Sequence, residues 1–122
     1  MPIVDIEIVL RAGENLRSSL AGALADALGE IFAAPPRTTW VRLRSLPADD
    51  FAENGGRLSA DGPPVFVSIL KRKRPAPSEL QPEVDRITAA VARICSRSPG
   101  HVHIIYEPDG AGRVAFGGRI VE

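Results

Sequence analysis

The chain is poor in several residue types whose absence narrows what it can be. It has one cysteine, Cys95, in 122 residues, so no internal disulfide can form and a reducing cytosol suits it. Aromatics make up 5%, with one Trp, one Tyr and four Phe, too few for the paired stacking platforms of an RNA-binding sheet. Net charge is absent as well: 15 basic residues balance 15 acidic ones, which argues against general binding to nucleic acid or a membrane surface. No apolar run approaches the ~20 residues of a membrane span, and no cationic start leads into an apolar signal segment. A cytoplasmic, globular chain forming one domain over 1–122 is the expectation.

What remains is strongly patterned. Ile3 to Leu10 alternates, with Val4, Ile6, Ile8 and Leu10 on one face and Asp5 and Glu7 on the other. After Ala12-Gly13-Glu14-Asn15, Asn15 can cap a helix from about Leu16 to Ala33 with Leu16, Leu20, Leu24, Ala27 and Ile31 as its apolar stripe. Pro35-Pro36 stops it. Thr38 to Ser45 reads as a second strand, and Pro47 to Gly62 as the longest irregular stretch. Val65 to Leu70 is a third strand running into Lys71-Arg72-Lys73-Arg74. Ser78-Glu79-Leu80-Gln81 matches a capping box, or Pro82 opens the second helix; Leu80, Val84, Ile87, Val91 and Ile94 form its buried face, to about Ser96. His101 to Glu107 is a fourth strand, and Ala115-Phe116-Gly117-Gly118 a last hairpin or edge strand.

The two halves, about 2–60 and 64–122, look like copies. A shift of 62 residues lays Pro2-Ile3-Val4 on Pro64-Val65-Phe66 and Gly55-Gly56 on Gly117-Gly118. Each half is a strand–helix–strand unit with a right-handed crossover. The fold class is therefore α/β (α+β): a four-stranded sheet with both helices on one face. On the other face the pattern places Val67, Ile69, Val102, Ile104 and Tyr106, an apolar surface that points to association between subunits.

Pro2 is the chemically distinctive residue. If Met1 is removed, Pro2 becomes a secondary amine at the tip of a strand. An α-amino group titrates near about 7.7–8.0, and nearby cations and an apolar wall lower that further, which suits a general base. The bland reading is that a strand tolerates proline at its start because the missing N–H goes unused. In Lys71-Arg72-Lys73-Arg74, continued alternation sends Arg72 and Arg74 to one face. Such a guanidinium pair can grip a carboxylate and hold charge on an enolate oxygen; a solvated basic run is the alternative. Arg42 and Arg44 share a face with Trp40, as site residues or as interface salt bridges. His101 and His103 share a face too, but with no third ligand placed beside them no metal is expected. Cys95 reads as a small buried residue.

Met1-Pro2-Ile3, Ala34-Pro35-Pro36 leading into Val41-Arg42, and Asp50-Phe51-Ala52-Glu53-Asn54-Gly55-Gly56 together resemble the tautomerase superfamily along the whole chain. That group includes 4-oxalocrotonate tautomerase, macrophage migration inhibitory factor and malonate semialdehyde decarboxylase. The resemblance implies a cofactor-independent homotrimer with sites near the amino-terminal prolines, at subunit boundaries. It implies Pro2, Arg72 and Arg74 as catalytic residues, with Phe51 and Tyr106 around a small carboxylic-acid substrate; Trp40 and Arg42 join them on the strength of their shared strand face alone. Thr38 stands where the decarboxylase carries an aspartate, and Ala12 where the short tautomerases carry an arginine. The activity implied is isomerisation of a 2-oxo or 2-hydroxy-dienoate acid with Pro2 as base. A protonated Pro2 would instead suit a hydratase, decarboxylase or dehalogenase of a 3-carbon acid. A non-catalytic oligomer of the same fold, or a ferredoxin-like ligand sensor, are the non-enzymatic readings.

Overall fold

A computed structural model describes residues 1–56 and 62–122; the part of the Pro47–Gly62 stretch at 57–61 lies outside them. Four strands form one sheet: β1 (Ile3–Val9), β2 (Trp40–Leu46), β3 (Val65–Leu70) and β4 (Val102–Tyr106). Their order is β2-β1-β3-β4, with β1/β2 and β3/β4 parallel and the central β1/β3 pair antiparallel. Helix α1 (Leu20–Ile31) joins the first parallel pair and α2 (Pro77–Cys95) the second, so two β-α-β units meet along β1 and β3. The offset of 62 residues holds: β1 begins at 3 and β3 at 65, β2 at 40 and β4 at 102. A short hairpin, β5 (Ala115–Phe116) with β6 (Arg119–Ile120), follows.

The alternation in β1 sets the core. Val4, Ile6 and Ile8 are fully buried, as are Val65, Val67 and Ile69 of β3, and all six pack with Leu24 and Leu28 of α1 and Ile87 and Val91 of α2. Each such side chain withdrawn from water contributes on the order of 1.5–3 kcal/mol. This corrects the face assignment made from the sequence: Val67 and Ile69 lie under the helices, Val102 is buried, and Ile104 and Tyr106 pack against the same core. Both sets of alternating positions in β3 are mainly apolar, Ser68 being the one polar residue, so period alone did not say which set the helices cover. By the same alternation the face away from the helices carries Ile3, Asp5, Phe66, Ser68 and Leu70, with Ile105 more than half exposed.

The helix termini also differ from expectation. α1 starts at Leu20 with Ser19 before it, four residues beyond the predicted start, and Asn15 is not its cap. Glu14 and Arg11 instead close the preceding turn, Arg11 N–H donating to Glu14 Oε1 at 2.9 Å. α2 starts at Pro77, whose missing N–H is one the first turn leaves unpaired anyway, and Ala76 rather than Ser78 stands at the cap, Ser78 lying inside the first turn. Pro82 lies inside the helix. α2 ends on Ser96 in the left-handed region (φ 55°), after which Arg97 turns inward.

Candidate active site

Pro2 is buried immediately before β1, and its carbonyl accepts the Trp40 N–H at 3.1 Å. Ile3 is paired on one side with Trp40 and on the other with Leu70. The start of β1, the start of β2 and the end of β3 therefore meet at one edge of the molecule, with Pro2 between them. The residue opposite Pro2 is Lys71, one step past the last β1/β3 pair.

Lys71 belongs to a part-buried polar trio with Tyr106 and Glu83, of which Glu83 was not singled out from the sequence. Its Nζ donates to Glu83 Oε1 at 2.8 Å and stands 4.8 Å from the centre of the Phe32 ring. Glu83 Oε2 accepts the Tyr106 hydroxyl at 2.5 Å. Glu83 is only 6% exposed, so its charge is tolerated because Lys71 and Tyr106 satisfy both oxygens. Burial first, and then the Glu83 carboxylate, push the Tyr106 phenol well above its usual range. The available signal for Glu83 was its phase: it lies four residues before Ile87 and eight before Val91, on the buried stripe.

The basic run does not continue the strand. β3 ends at Leu70 and the chain bends at Arg72 and Lys73, so the alternation that put Arg72 and Arg74 on a common face fails there. Both instead hold the carboxy-terminal segment. Arg72 Nε donates to the Glu122 carbonyl, and Arg74 donates its backbone N–H to Asp109 Oδ1 at 3.0 Å with its guanidinium 3.5 Å away. Gly110 N–H to Lys71 O (2.8 Å) and Ala111 N–H to Arg72 O (3.2 Å) lay that segment along the end of β3. Arg72 and Arg74 are exposed and at the same sheet end as Pro2.

Beside Ile3, on the face away from the helices, runs a groove of about 270 Å³ lined by Ile3, Asp5, Arg42, Ser68, Leu70 and Arg113, among others. Arg42 forks onto Asp5, Nε to Oδ1 at 2.6 Å and Nη2 to Oδ2 at 2.8 Å; these bonds and the Asp5 charge raise its pKa. Trp40, half exposed, meets Phe116 of the hairpin edge-on with ring centres 5.2 Å apart. Phe51 is elsewhere. It packs 6.0 Å from Phe66, whose β1 partner is Glu7, about 13 Å along the strand from Ile3 at ~3.3 Å per residue. Within one chain the sheet end thus gathers Pro2, Lys71, Arg72, Arg74, Trp40 and Tyr106, with Arg42 nearby, and leaves Phe51 at the far end. Among the described residues no group of three or more His, Cys, Asp and Glu could hold a metal ion, and no helix is long and apolar enough to cross a membrane.

No protein-family model matches the chain, and no curated protein matches it by sequence. Its fold is that of the tautomerase superfamily. Macrophage migration inhibitory factor from Trichinella spiralis superposes with a TM-score of 0.73 at 13% identity, over 97% of this chain and 98% of that one. A fused 4-OT described as a symmetric trimer gives 0.72 at 14% identity, covering 98% and 94%. FG41 malonate semialdehyde decarboxylase, inhibited by 3-bromopropiolate, gives 0.69 at 21% identity, covering 94% and 88%. Tautomerases, decarboxylases and macrophage migration inhibitory factor all share this architecture.

Proposed function

We propose that the chain is a cofactor-independent isomerase of a small 2-oxo or 2-hydroxy-dienoate acid, working as a homotrimer with Pro2 as general base. The observation that carries this reading is the burial of Pro2 at the sheet end where Lys71, Arg72 and Arg74 follow the neighbouring strand. Excision of Met1 belongs to the proposal, because only then is the ring nitrogen an amine. The uncharged nitrogen takes the hydroxyl proton of the enol. The oxygen lone pair forms the carbonyl, and the electrons of the carbon–carbon double bond capture a proton from the prolinium, leaving the base as it began. Arg72 and Arg74 hold the substrate carboxylate and stabilise the enolate charge between the two proton transfers.

Tyr106 positions the site through Glu83 rather than by direct contact, since its hydroxyl is committed there. Trp40 and Arg42 border the approach from the groove side. Phe51 excludes water at the boundary with a neighbouring copy, where the distance from its own Pro2 ceases to matter. A single positioned base supplies about 10²–10⁴-fold, so orientation and the cations supply the rest.

The test has two parts. Intact mass should show a chain short by one methionine. Ketonisation of 2-hydroxymuconate and phenylenolpyruvate should then fall by at least about 10²-fold in Pro2→Ala; equal rates from the two proteins remove Pro2 from the mechanism. A Pro2 nitrogen titrating well above 8 makes it a general acid at neutral pH, and the hydratase, decarboxylase or dehalogenase reading replaces this one.

A further inference from the structure

The side chain of Met1 is seated in a slot of its own. Met1 is partly buried, and its thioether lies against Gly110: a Cβ added to Gly110 would sit 3.3 Å from Met1 Sδ, closer still to Met1 Cε, and 3.2 Å from the Lys71 carbonyl oxygen. Gly110 is itself buried, with its N–H on that same carbonyl. Its φ lies outside the left-handed region that calls for glycine. The missing side chain is therefore a matter of space: glycine at 110 keeps the slot open.

The direction of this slot matters chemically. The Met1 carbonyl carbon is bonded to the Pro2 nitrogen. In a trimmed chain the lone pair and the N–H of that nitrogen both project to the side from which Met1 was lost, so a molecule exchanging a proton with it approaches through the space Met1 has left. We infer that the Met1 slot is the pocket for the carbon chain of the substrate, and that Gly110 sets its depth. The inference rests on the Pro2 reading and narrows it. What Met1 fills is the volume of an unbranched chain, Cβ, Cγ, Sδ and Cε, beside a wall whose carbonyl is already paired with the Gly110 N–H. The class of acid that fits carries a slender linear chain next to the reacting carbon. A branch towards the far end of the chain, where Met1 Sδ and Cε lie against Gly110, collides with the surface that Gly110 keeps flat, and a phenyl ring is at a disadvantage to a linear dienoate.

Deuterium exchange at the carbon next to the keto group, followed by NMR in the Met1-free protein, reads this directly. The probes are pyruvate, 2-oxohexanoate and 4-methyl-2-oxopentanoate, an isomer branched towards the chain end and unbranched at the exchanging carbon. Expected is a kcat/KM at least about tenfold higher for the linear six-carbon acid than for the branched one, the scale that one misplaced methylene imposes in a fitted pocket. In Gly110→Ala the ratio of kcat/KM for 2-oxohexanoate over pyruvate should fall about tenfold. An unchanged ratio in Gly110→Ala, with exchange lost in Pro2→Ala, overturns the slot and leaves Pro2 as the base; exchange undiminished in Pro2→Ala overturns the base itself. Should Gly110→Ala fail to fold, the linear-to-branched ratio of the wild type decides, and a ratio near one overturns the slot.

Discussion

At the scale of single residues, the polar groups that matter most for integrity are those that alternation could not reveal. Arg97 is the clearest. Its guanidinium is wholly buried and donates to Glu14 Oε1 (2.7 Å) and Oε2 (3.2 Å) and to the carbonyls of Val9, Pro63 and Cys95. Nothing in the sequence around Ser96-Arg97-Ser98 distinguishes it from a solvated arginine, since its burial depends on partners from three other segments. The hydrogen bond from Arg97 holds the Glu14 carboxyl below the ordinary glutamate range, against a smaller opposing effect of burial. A depressed folded-state pKa means this stabilisation is complete above the unfolded value of about 4.3 and is lost as pH falls through the folded value. Arg97→Met should cost about 3 kcal/mol or more at pH 7, by stranding three carbonyls and leaving Glu14 only its contacts with Arg11. In urea titrations the gap between wild type and variant should narrow below about pH 4. A gap independent of pH would show that Glu14 is not the partner that counts. Cys95, by contrast, was legible as a small buried residue: it is 7% exposed, and desolvation pushes its thiol up to about 11.

At the scale of elements, the strands were the legible part, because two-residue periodicity is a local property. β3 runs from Val65 to Leu70 as read, and β1 ends one residue short of Leu10. Helix ends were less legible, since Asn15 and Ser19 are both competent caps and only tertiary packing chooses between them. For α1 that packing starts at Leu20, the first residue of the helix to reach the core. The end of α2 carries a correctable defect. Ser96 adopts φ 55° and ψ 50°, where a Cβ costs ~1–2 kcal/mol, and glycine is the usual occupant after a helix. Ser96→Gly should therefore raise stability by about 0.5–1 kcal/mol, after the extra freedom of glycine in the unfolded chain is subtracted. Thermal or urea unfolding measures this, and a loss of stability would mean that the side chain of Ser96 matters more than its backbone. The basic run was the hardest element to read. Its register was extrapolated past Leu70, and the contacts with Asp109 and Glu122 that actually orient Arg72 and Arg74 come from the far end of the chain.

At the scale of the whole molecule, the sheet has one covered face and one open. The open face presents Ile3, Phe66, Leu70 and Ile105, and among the described residues the outer strands β2 and β4 each lack a partner on one side. The sequence reading put Val67, Ile69 and Val102 on this face, but they lie beneath the helices. If three copies assemble through this face, Ile105 at 56% exposure is the side chain with most to gain from burial. Ile105→Glu should convert a trimer to monomers in light scattering and leave the far-ultraviolet dichroism of the monomer unchanged. A variant that stays trimeric would place the interface elsewhere.

The antiparallel meeting of β1 and β3 makes the two ends of the sheet near-counterparts, with Pro2 at one and Pro64 at the other. At the second end Pro64 is embedded in mid-chain and buried, its carbonyl accepts the Val9 N–H at 3.1 Å, and the cation beside it, Arg97, has every direction filled. Near-symmetry in the backbone has thus been broken in chemistry: one pole can be unmasked by trimming, while its twin is sealed by the peptide bond from Pro63. If Pro2 is the base proposed above, a ring of three such chains would carry three working prolines and three silent ones.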